Sequence, residues 1–301
     1  MTLKKPKVSI GVPVYNGEKY IRKNIEALLD QTYKDFEIII SDNCSSDNTY
    51  KICEDYLKKD SRIKLIHQTS NLGMVKNFSF VLKQAKGEYF MWSAVDDIIL
   101  PEFIEENIKI LESDKKFVGS TGRILLCRRN ENEIEDIDNK FYNIIKSIRI
   151  KFHKRDTISI TGTYENKVQK YLKESTCQII YGLFRTKPLK ESYIETPFIG
   201  YDWAINLGVL KFGDFNVIEK NLMYENEIGA SAAMGIINLA KKYNTGLGKI
   251  LPWYPLTKWC SKNLENKIFL KNIGFFIRLN LEGILSQIID FLRLILKQKN
   301  Q

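Results

Sequence analysis

Histidine is nearly absent from this chain, which has two in 301 residues; its five cysteines, Cys44, Cys53, Cys127, Cys177 and Cys260, form no CxxC pair. A structural zinc centre takes four such ligands at short spacings, so none is expected, and reduced thiols in a cytoplasmic setting are the simplest account. No apolar core of signal-peptide length precedes the polar break in "MTLKKPKVSIGVPVYNG", which predicts a protein that is not secreted. The GxGxxG turn that brings a backbone up to a dinucleotide pyrophosphate is missing from "GVPVYNG", and this argues against a nicotinamide-dependent dehydrogenase. The apolar stretch at the C-terminus is interrupted by charge too often to span a bilayer, which takes about 20 nearly uncharged residues. No internal repeat or low-complexity tract is present.

The remaining composition, 44% hydrophobic and 27% charged, is that of an ordinary folded protein. The chain is long enough for one large domain or two small ones. Its net charge of +10 is uneven: residues 236–301 hold eleven Lys or Arg against three Asp or Glu, leaving +2 for the first 235. A nucleic-acid-binding body carries its charge around its site, and the aromatic residues here fall mostly in apolar runs rather than basic stacking surfaces. No nucleic-acid partner is expected. A basic tail favours an anionic surface such as a membrane leaflet.

Short β-rich runs alternate with helical patterns through residue 125. "KVSIGVPVY", "FEIIISD", "IKLIHQ" and "EYFMWSAV" read as strands. Between and after them, Ile21, Ile25, Leu28 and Leu29 share one helical face. Ile52, Tyr56 and Leu57 share a second face, and Val75, Phe78, Val81 and Leu82 a third. "PEFIEENIKILES" opens a fourth helix with Pro101 near its first turn. Such alternation predicts an α/β fold, a mostly parallel sheet covered on both faces, with ligands at the carboxyl ends of the strands. Tyr15 and Asn16, Asp42 and Asn43, Asn71, and Asp96 and Asp97 each follow a strand and are expected to converge. From 126 to 235 the pattern is less regular. "RRNENEIEDIDNK" reads as an exposed excursion, "IKFHKRDTISITGTYENK" as a loop, and "CQIIYGLFRTKPL" as a strand followed by a turn.

Adjacent carboxylates repel and are costly to desolvate alone. Asp96 and Asp97 suit either a divalent cation such as Mg2+ or Mn2+, or a solvated helix N-terminus favoured by the helix dipole. Ser46 or Asp47 can cap the helix that follows "SDNCSSDNT", but capping leaves Asp42 unexplained. Asp42 lies upstream, where a base or ribose could be gripped, and a carboxylate there can accept a hydrogen bond from an imide N–H. In "SNLGMVKNFSF", Gly73 permits a tight turn, Asn71 and Asn77 offer amides, and Lys76 is either a phosphate contact or an exposed helix lysine.

"VPVYN", "EIIISDNCSSDNT", "NLGMVKN" and "VDD", in this order on this alternation, resemble family 2 glycosyltransferases of the GT-A type over roughly the first 125 residues. The resemblance implies a Rossmann-like nucleotide half (residues 1–125), an acceptor-side half (126–235) and a basic helical C-terminal extension (236–301). It implies an inverting transfer from a nucleotide-sugar, with uridine the expected base, to a glycan or lipid-linked hydroxyl in cell-surface polysaccharide or glycoconjugate synthesis. Val14 and Tyr15 would flank the base, and Asp42 would hydrogen-bond it. Lys76 stands where the family often has arginine near the nucleotide, Asp96 belongs to the nucleotide site, and Asp97 would ligate the Mg2+ or Mn2+ on the diphosphate. In "IGYDWAINLGVLKFGDF", Asp202 aligns with the family's base, with a helix-capping aspartate as its alternative role.

The sequence departs from the family in three places. Ala94 and Val95 occupy the region of an additional acid, Tyr201 replaces the acid before Asp202, and Glu225 and Glu227 stand where many relatives carry Arg or His near the product phosphates. These departures leave room for a non-catalytic sugar-nucleotide-binding or scaffold protein on the same fold. In "LNLEGILSQIIDFLRLILKQKNQ", Ile284, Leu285, Ile288, Ile289, Leu292, Ile295 and Leu296 form an apolar face opposite Glu282, Ser286, Asp290, Arg293 and Lys297. That face suits peripheral association with the cytoplasmic side of a membrane, packing on the protein's own body, or oligomerisation.

Overall fold

A computed structural model describes residues 5–127, 156–175, 177–226 and 235–299. The first strand, β1 (Val8–Val14), lies between β2 (Phe36–Asp42) and β4 (Tyr89–Trp92), and β3 (Ile63–His67) flanks β2; all these pairings are parallel. The sheet continues through β7 (Leu183–Arg185), β6 (Phe117–Cys127), β8 (Asp214–Asn226) and the two-residue β5 (Ile98–Ile99). Its order is β3-β2-β1-β4-β7-β6-β8-β5, with β4–β7, β6–β7 and β5–β8 antiparallel and β6–β8 parallel. The sheet is thus mixed, and it runs through both expected halves, since β6 crosses the division at residue 125.

Alternation along the central strands sends side chains into two cores. Val8, Ile10, Val12, Ile38, Ile40 and Met91 face α1 (Ile21–Leu29), α2 (Thr49–Leu57) and α4 (Phe103–Ser113). Ile39, Phe90 and Trp92 face the other way, toward α3 (Met74–Gln84), α5 (Tyr164–Glu174) and α7 (Tyr201–Val209). Between α5 and α7 lies α6 (Thr186–Ser192). The C-terminal helices α8 (Gly235–Tyr243), α9 (Tyr254–Asn263), α10 (Asn266–Lys271) and α11 (Ile273–Lys299) follow, and Leu256, Ile268, Phe275 and Phe276 join the second core.

Three expectations are corrected. In α2, Thr49, Cys53 and Tyr56 are buried while Leu57 is exposed, because the inward stripe runs i, i+4, i+7 and Leu57 lies a further 100° round the helix. Burial holds the Cys53 thiol up at about 12, an inert packing residue. "CQIIYGLFRTKPL" is a 3-10 turn, Cys177–Tyr181, then the short β7, then a helix; Pro188 sits in the first turn of α6, where its missing N–H costs nothing. "RRNENEIEDIDNK" lies outside the described residues, as does "IKFHKRDTISITGTYENK" before Asp156; from there the expected loop runs only to Thr163, whose side chain caps α5, so "YENK" is helical.

Gly11 is a point of close approach in the central strand. A Cβ there would stand 2.7 Å from both Phe90 Cζ and Val81 Cγ2, so β1 meets α3 only because position 11 has no side chain. Gly11→Ala is expected to destabilise the fold by about 1–3 kcal/mol through overpacking. The change reads as a lower urea midpoint with an unchanged m-value; an unchanged midpoint would mean that α3 yields without cost.

Candidate active site

The loops after β1 and β2 are stitched together by short polar side chains. Asn16 N–H donates to Ser45 Oγ at 2.8 Å, and Asn16 Oδ1 accepts from Ser46 N–H at 2.9 Å. Gly17 N–H donates to Thr49 Oγ1 (2.8 Å) and Glu18 N–H to Asp47 Oδ2 (3.1 Å). Asp47 Oδ1 also accepts from Thr49 N–H at 3.0 Å, so this residue serves the loop as well as the start of α2. Asn16 (φ 49°) and Cys44 (φ 63°) adopt left-handed backbone, a conformation that costs non-glycine residues energy and gathers at functional sites. The loops after β2 and β3 are tied by Asn43, whose Nδ2 donates to Asn71 Oδ1 (3.0 Å) and whose Oδ1 accepts from Leu72 N–H (2.8 Å). Asn77 is buried and takes Ser41 Oγ at 2.6 Å, a packing role beneath the loops.

Asp42 ends β2 fully buried. Its Oδ2 pairs with His67 Nδ1 at 2.7 Å, and the His67 ring packs edge-on against Tyr50 with centroids 4.7 Å apart. Asp42 Oδ1 is buried with no hydrogen-bond partner among the described residues. A desolvated carboxylate oxygen without a donor is costly, and an incoming N–H is the chemistry that relieves it. Sequence reasoning missed His67, although it falls at the end of β3 beside the carboxyl end of β2. Val14 is buried, with its carbonyl taken by Asn43 N–H at 2.8 Å, while Tyr15 stands 51% exposed at the crevice lip. Lys76 is exposed in the first turn of α3, within electrostatic reach of Glu195.

Asp96 and Asp97 do not cap a helix. They occupy a turn after β4, closed by Asp97 N–H donating to Ala94 O at 3.2 Å, and β5 intervenes before α4 begins. Pairing of β5 with β8 brings the end of β8 alongside, and Asp97 Oδ1 accepts from Asn226 N–H at 3.1 Å across 129 positions of sequence. Asp97 is buried; Asp96 is half-buried and has no hydrogen bond or ion pair among the described residues.

The 3-10 turn Cys177–Tyr181 connects these acids to α7. At one end the Cys177 thiol hydrogen-bonds the Asp202 carboxylate; at the other, burial pushes the Tyr181 hydroxyl well above its usual value, with Asp97 and Glu225 both close enough to add to the effect. Between them Gln178 Nε2 donates to Glu225 on β8. Asp202 is the second residue of α7, whose N-cap is Gly200 at φ 88°, so it is not the helix's capping aspartate; Oδ1 accepts from Trp203 N–H at 2.9 Å. Burial raises the Asp202 carboxyl, and the hydrogen bonds from Cys177 and Trp203 oppose that shift. Burial also raises Glu225, with Gln178 opposing and Asp96 reinforcing. Tyr181 and Gln178 gave no signal in sequence because their run reads as a strand. Glu227 lies outside the described residues.

Clustered carboxylate oxygens suit a hard divalent ion. Among the described residues no group of three or more His, Cys, Asp or Glu side chains surrounds one point. Asp96 and Asp97 therefore fit an ion whose other ligands come from phosphate and water. A cavity of about 870 Å3 opens elsewhere, at the amino ends of β1 and β4, and is ringed by Lys5, Lys7, Lys86, Lys187 and Lys190.

Parallel strands ending on an acid-lined crevice, continued by a mixed half that adds the remaining acids, are the arrangement of the GT-A fold. S. aureus TarS 1–349 in complex with UDP-GlcNAc superposes with a TM-score of 0.57 at 19% identity, over 93% of this chain and 81% of TarS 1–349. The Pyrobaculum calidifontis mannosyltransferase in complex with GDP-Man and Mn2+ gives 0.56 at 13%, over 94% and 73% of the two chains. The sequence pattern of glycosyl transferase family 2 matches residues 9–192, more than half of the chain, which belongs to that family. GlyG, a glycosyltransferase of Streptococcus pneumoniae, is 37% identical over 98 residues, a stretch that takes in 33% of this chain and 33% of GlyG.

Asn43→Ala would leave Leu72 N–H and Asn71 without their partner and is expected to cost about 1–3 kcal/mol. Urea unfolding measures it; a wild-type midpoint would show that the loops do not depend on the Asn43 amide.

Proposed function

We propose that this chain is an inverting transferase that moves a sugar from a nucleotide donor, a UDP-sugar by preference, to a hydroxyl of a glycan or lipid-linked acceptor. The acceptor is presented at the cytoplasmic face of a membrane, in cell-surface polysaccharide or glycoconjugate synthesis. The observation that carries this reading is the assembly of Asp97 and Asp202, 105 positions apart in sequence, around the single turn Cys177–Tyr181.

In this reading the donor base lies between Val14 and Tyr15, and its imide N–H meets Asp42 Oδ1 while His67 holds Oδ2. Lys76 and Asp96 serve the nucleotide side. Asp97 would hold Mg2+ or Mn2+, which when bound would supply Lewis-acid neutralisation of charge on the nucleoside diphosphate. Asp202 takes the proton of the acceptor hydroxyl on a carboxylate oxygen as that hydroxyl attacks the anomeric carbon in line. A carboxyl raised by burial is a better proton acceptor than a solvated one near neutral pH. Cys177 and Trp203 N–H fix its orientation. Glu225 and Gln178 line the acceptor side, where hydrogen bonds to hydroxyls replace the cationic contacts of many relatives. The chain spans about a third of the length of GlyG.

The decisive test is release of nucleoside diphosphate from a sugar-nucleotide panel with Mn2+ and candidate acceptors. Asp202→Asn is expected to lower kcat by on the order of 10²–10⁴ while donor binding persists. Binding without turnover for the wild type across all acceptors would favour the scaffold alternative. In a thermal-shift assay, nucleoside diphosphate with Mn2+ is expected to stabilise the wild type, and Asp97→Asn to lose the metal-dependent part. A full metal-dependent shift in the variant would remove Asp97 from the metal site.

Cys177→Ala bears on the base directly. Loss of the thiol donor removes a hydrogen bond that favours the ionised Asp202, so its pKa rises and the acid limb of kcat/KM moves to higher pH. An unmoved limb would mean that another group is titrating.

A further inference from the structure

Helix α11 completes the second core with only part of its apolar surface. Its first turns bury Phe275, Phe276 and Leu279. Beyond them Gly283 packs against Trp253 and Pro252, and polar side chains hydrogen-bond the body. Asn280 Nδ2 donates to Thr257 Oγ1 at 2.9 Å, Gln287 Nε2 donates to Lys249 O at 2.8 Å, and Asp290 Oδ2 accepts from Ile236 N–H at 2.7 Å in the first turn of α8. The apolar side points outward: Ile277, Leu281, Leu285, Ile288 and Phe291 are each more than half exposed, and Leu292 is 47% exposed. Leu285, Ile288 and Leu292 are therefore not packed into the described body, one of the roles open to this face from sequence, whereas Ile284 and Ile289 are half-buried.

These residues recur every three or four positions, so they form one stripe roughly 22 Å long at 1.5 Å per residue. The Gln287–Lys249 contact sets Ile250, 66% exposed, beside it. A continuous apolar face of this size on an otherwise charged surface marks an interaction site.

Charge selects the occupant. Residues 236–301 carry eleven Lys or Arg against three Asp or Glu. Two of those acids are already engaged, Glu282 with Arg278 at 3.5 Å and Asp290 with the start of α8. Lys249, whose carbonyl takes the Gln287 amide, and Lys258, beside Thr257, are exposed and have no carboxylate partner among the described residues. A second copy docked on this face would bring two strongly basic segments together, whereas an anionic leaflet complements one. No described helix is long and apolar enough to cross a membrane.

We propose that the outward face of α11, from Ile277 to Leu292, is a docking surface for an anionic lipid leaflet. The helix lies flat in the interface with its apolar stripe among the acyl chains and Lys249 and Lys258 at the headgroups. This rests on the proposed function in placing the acceptor at a membrane, but it is measured without turnover.

The full chain is sedimented with phosphatidylcholine vesicles prepared with and without phosphatidylglycerol, and its affinity for UDP with Mn2+ is measured in parallel. Binding to the anionic vesicles is expected, weaker by on the order of tenfold on the neutral ones. The double variant Leu285→Glu, Ile288→Glu should lose at least about tenfold in vesicle affinity with its UDP affinity unchanged. Lys249→Gln with Lys258→Gln should shrink the preference for anionic lipid. Wild-type vesicle binding by the Glu variant would overturn the proposal. So would a wild-type chain that ignores the vesicles but dimerises in analytical ultracentrifugation through these same residues. Loss of UDP binding with vesicle binding intact would count against the transferase reading alone.

Discussion

Desolvated negative charge is the constraint around which this molecule is organised. Asp42, Asp97, Asp202 and Glu225 all reach the carboxyl end of the sheet, and removing a carboxylate from water is costly unless donors replace the solvent. Each has its own donor: His67 for Asp42, Asn226 N–H for Asp97, Trp203 N–H and the Cys177 thiol for Asp202, and the Gln178 amide for Glu225. The compensation is incomplete, because Asp202 and Glu225 stay raised by burial and Asp42 Oδ1 has no partner among the described residues. A crevice held in that state is complementary to a ligand that brings N–H donors and a cation, and it would repel a bare anion.

The architecture that gathers these groups is the junction of two strand systems. The four parallel strands alone would deliver Asp42, Asp96 and Asp97 and nothing opposite them. Pairing of β5 with β8, and the tight turn Cys177–Tyr181 ahead of β7, carry Glu225, Asn226, Gln178 and Tyr181 to the same place. The acid turn also gains rigidity, since Asp97 is fixed by a backbone donor from a strand that is itself part of the sheet. At the far end of the chain the same economy of polar contacts is turned outward: α11 uses Asn280, Gln287 and Asp290 against the body and leaves its apolar stripe to the surroundings.

Much of the nucleotide half was legible in sequence because its signals are local. Period-2 and period-3.6 patterns located β1 to β4 and their helices, and a strand end followed by Asp or Asn is visible in a few residues. The misreadings were also local. Hydrophobicity alone favours Leu57 as an inward residue, yet helix rotation gives the place to Cys53. "CQIIY" has strand composition, yet tertiary packing folds it into a 3-10 turn. The two-residue β5 has no pattern of its own and exists only because β8 pairs with it.

What the sequence by itself determined is the set of chemical groups, their order along alternating strands and helices, and the excess of positive charge in the last segment. These follow from residue identity and periodicity, which need no partner. Tertiary structure alone decided that His67 sits on Asp42, that Asn226 N–H meets Asp97, that the Cys177 thiol meets Asp202, and that the stripe from Ile277 to Leu292 on α11 faces outward. Each is a contact between residues distant in the chain, set by strand pairing and helix packing, and no local pattern encodes which two faces will meet.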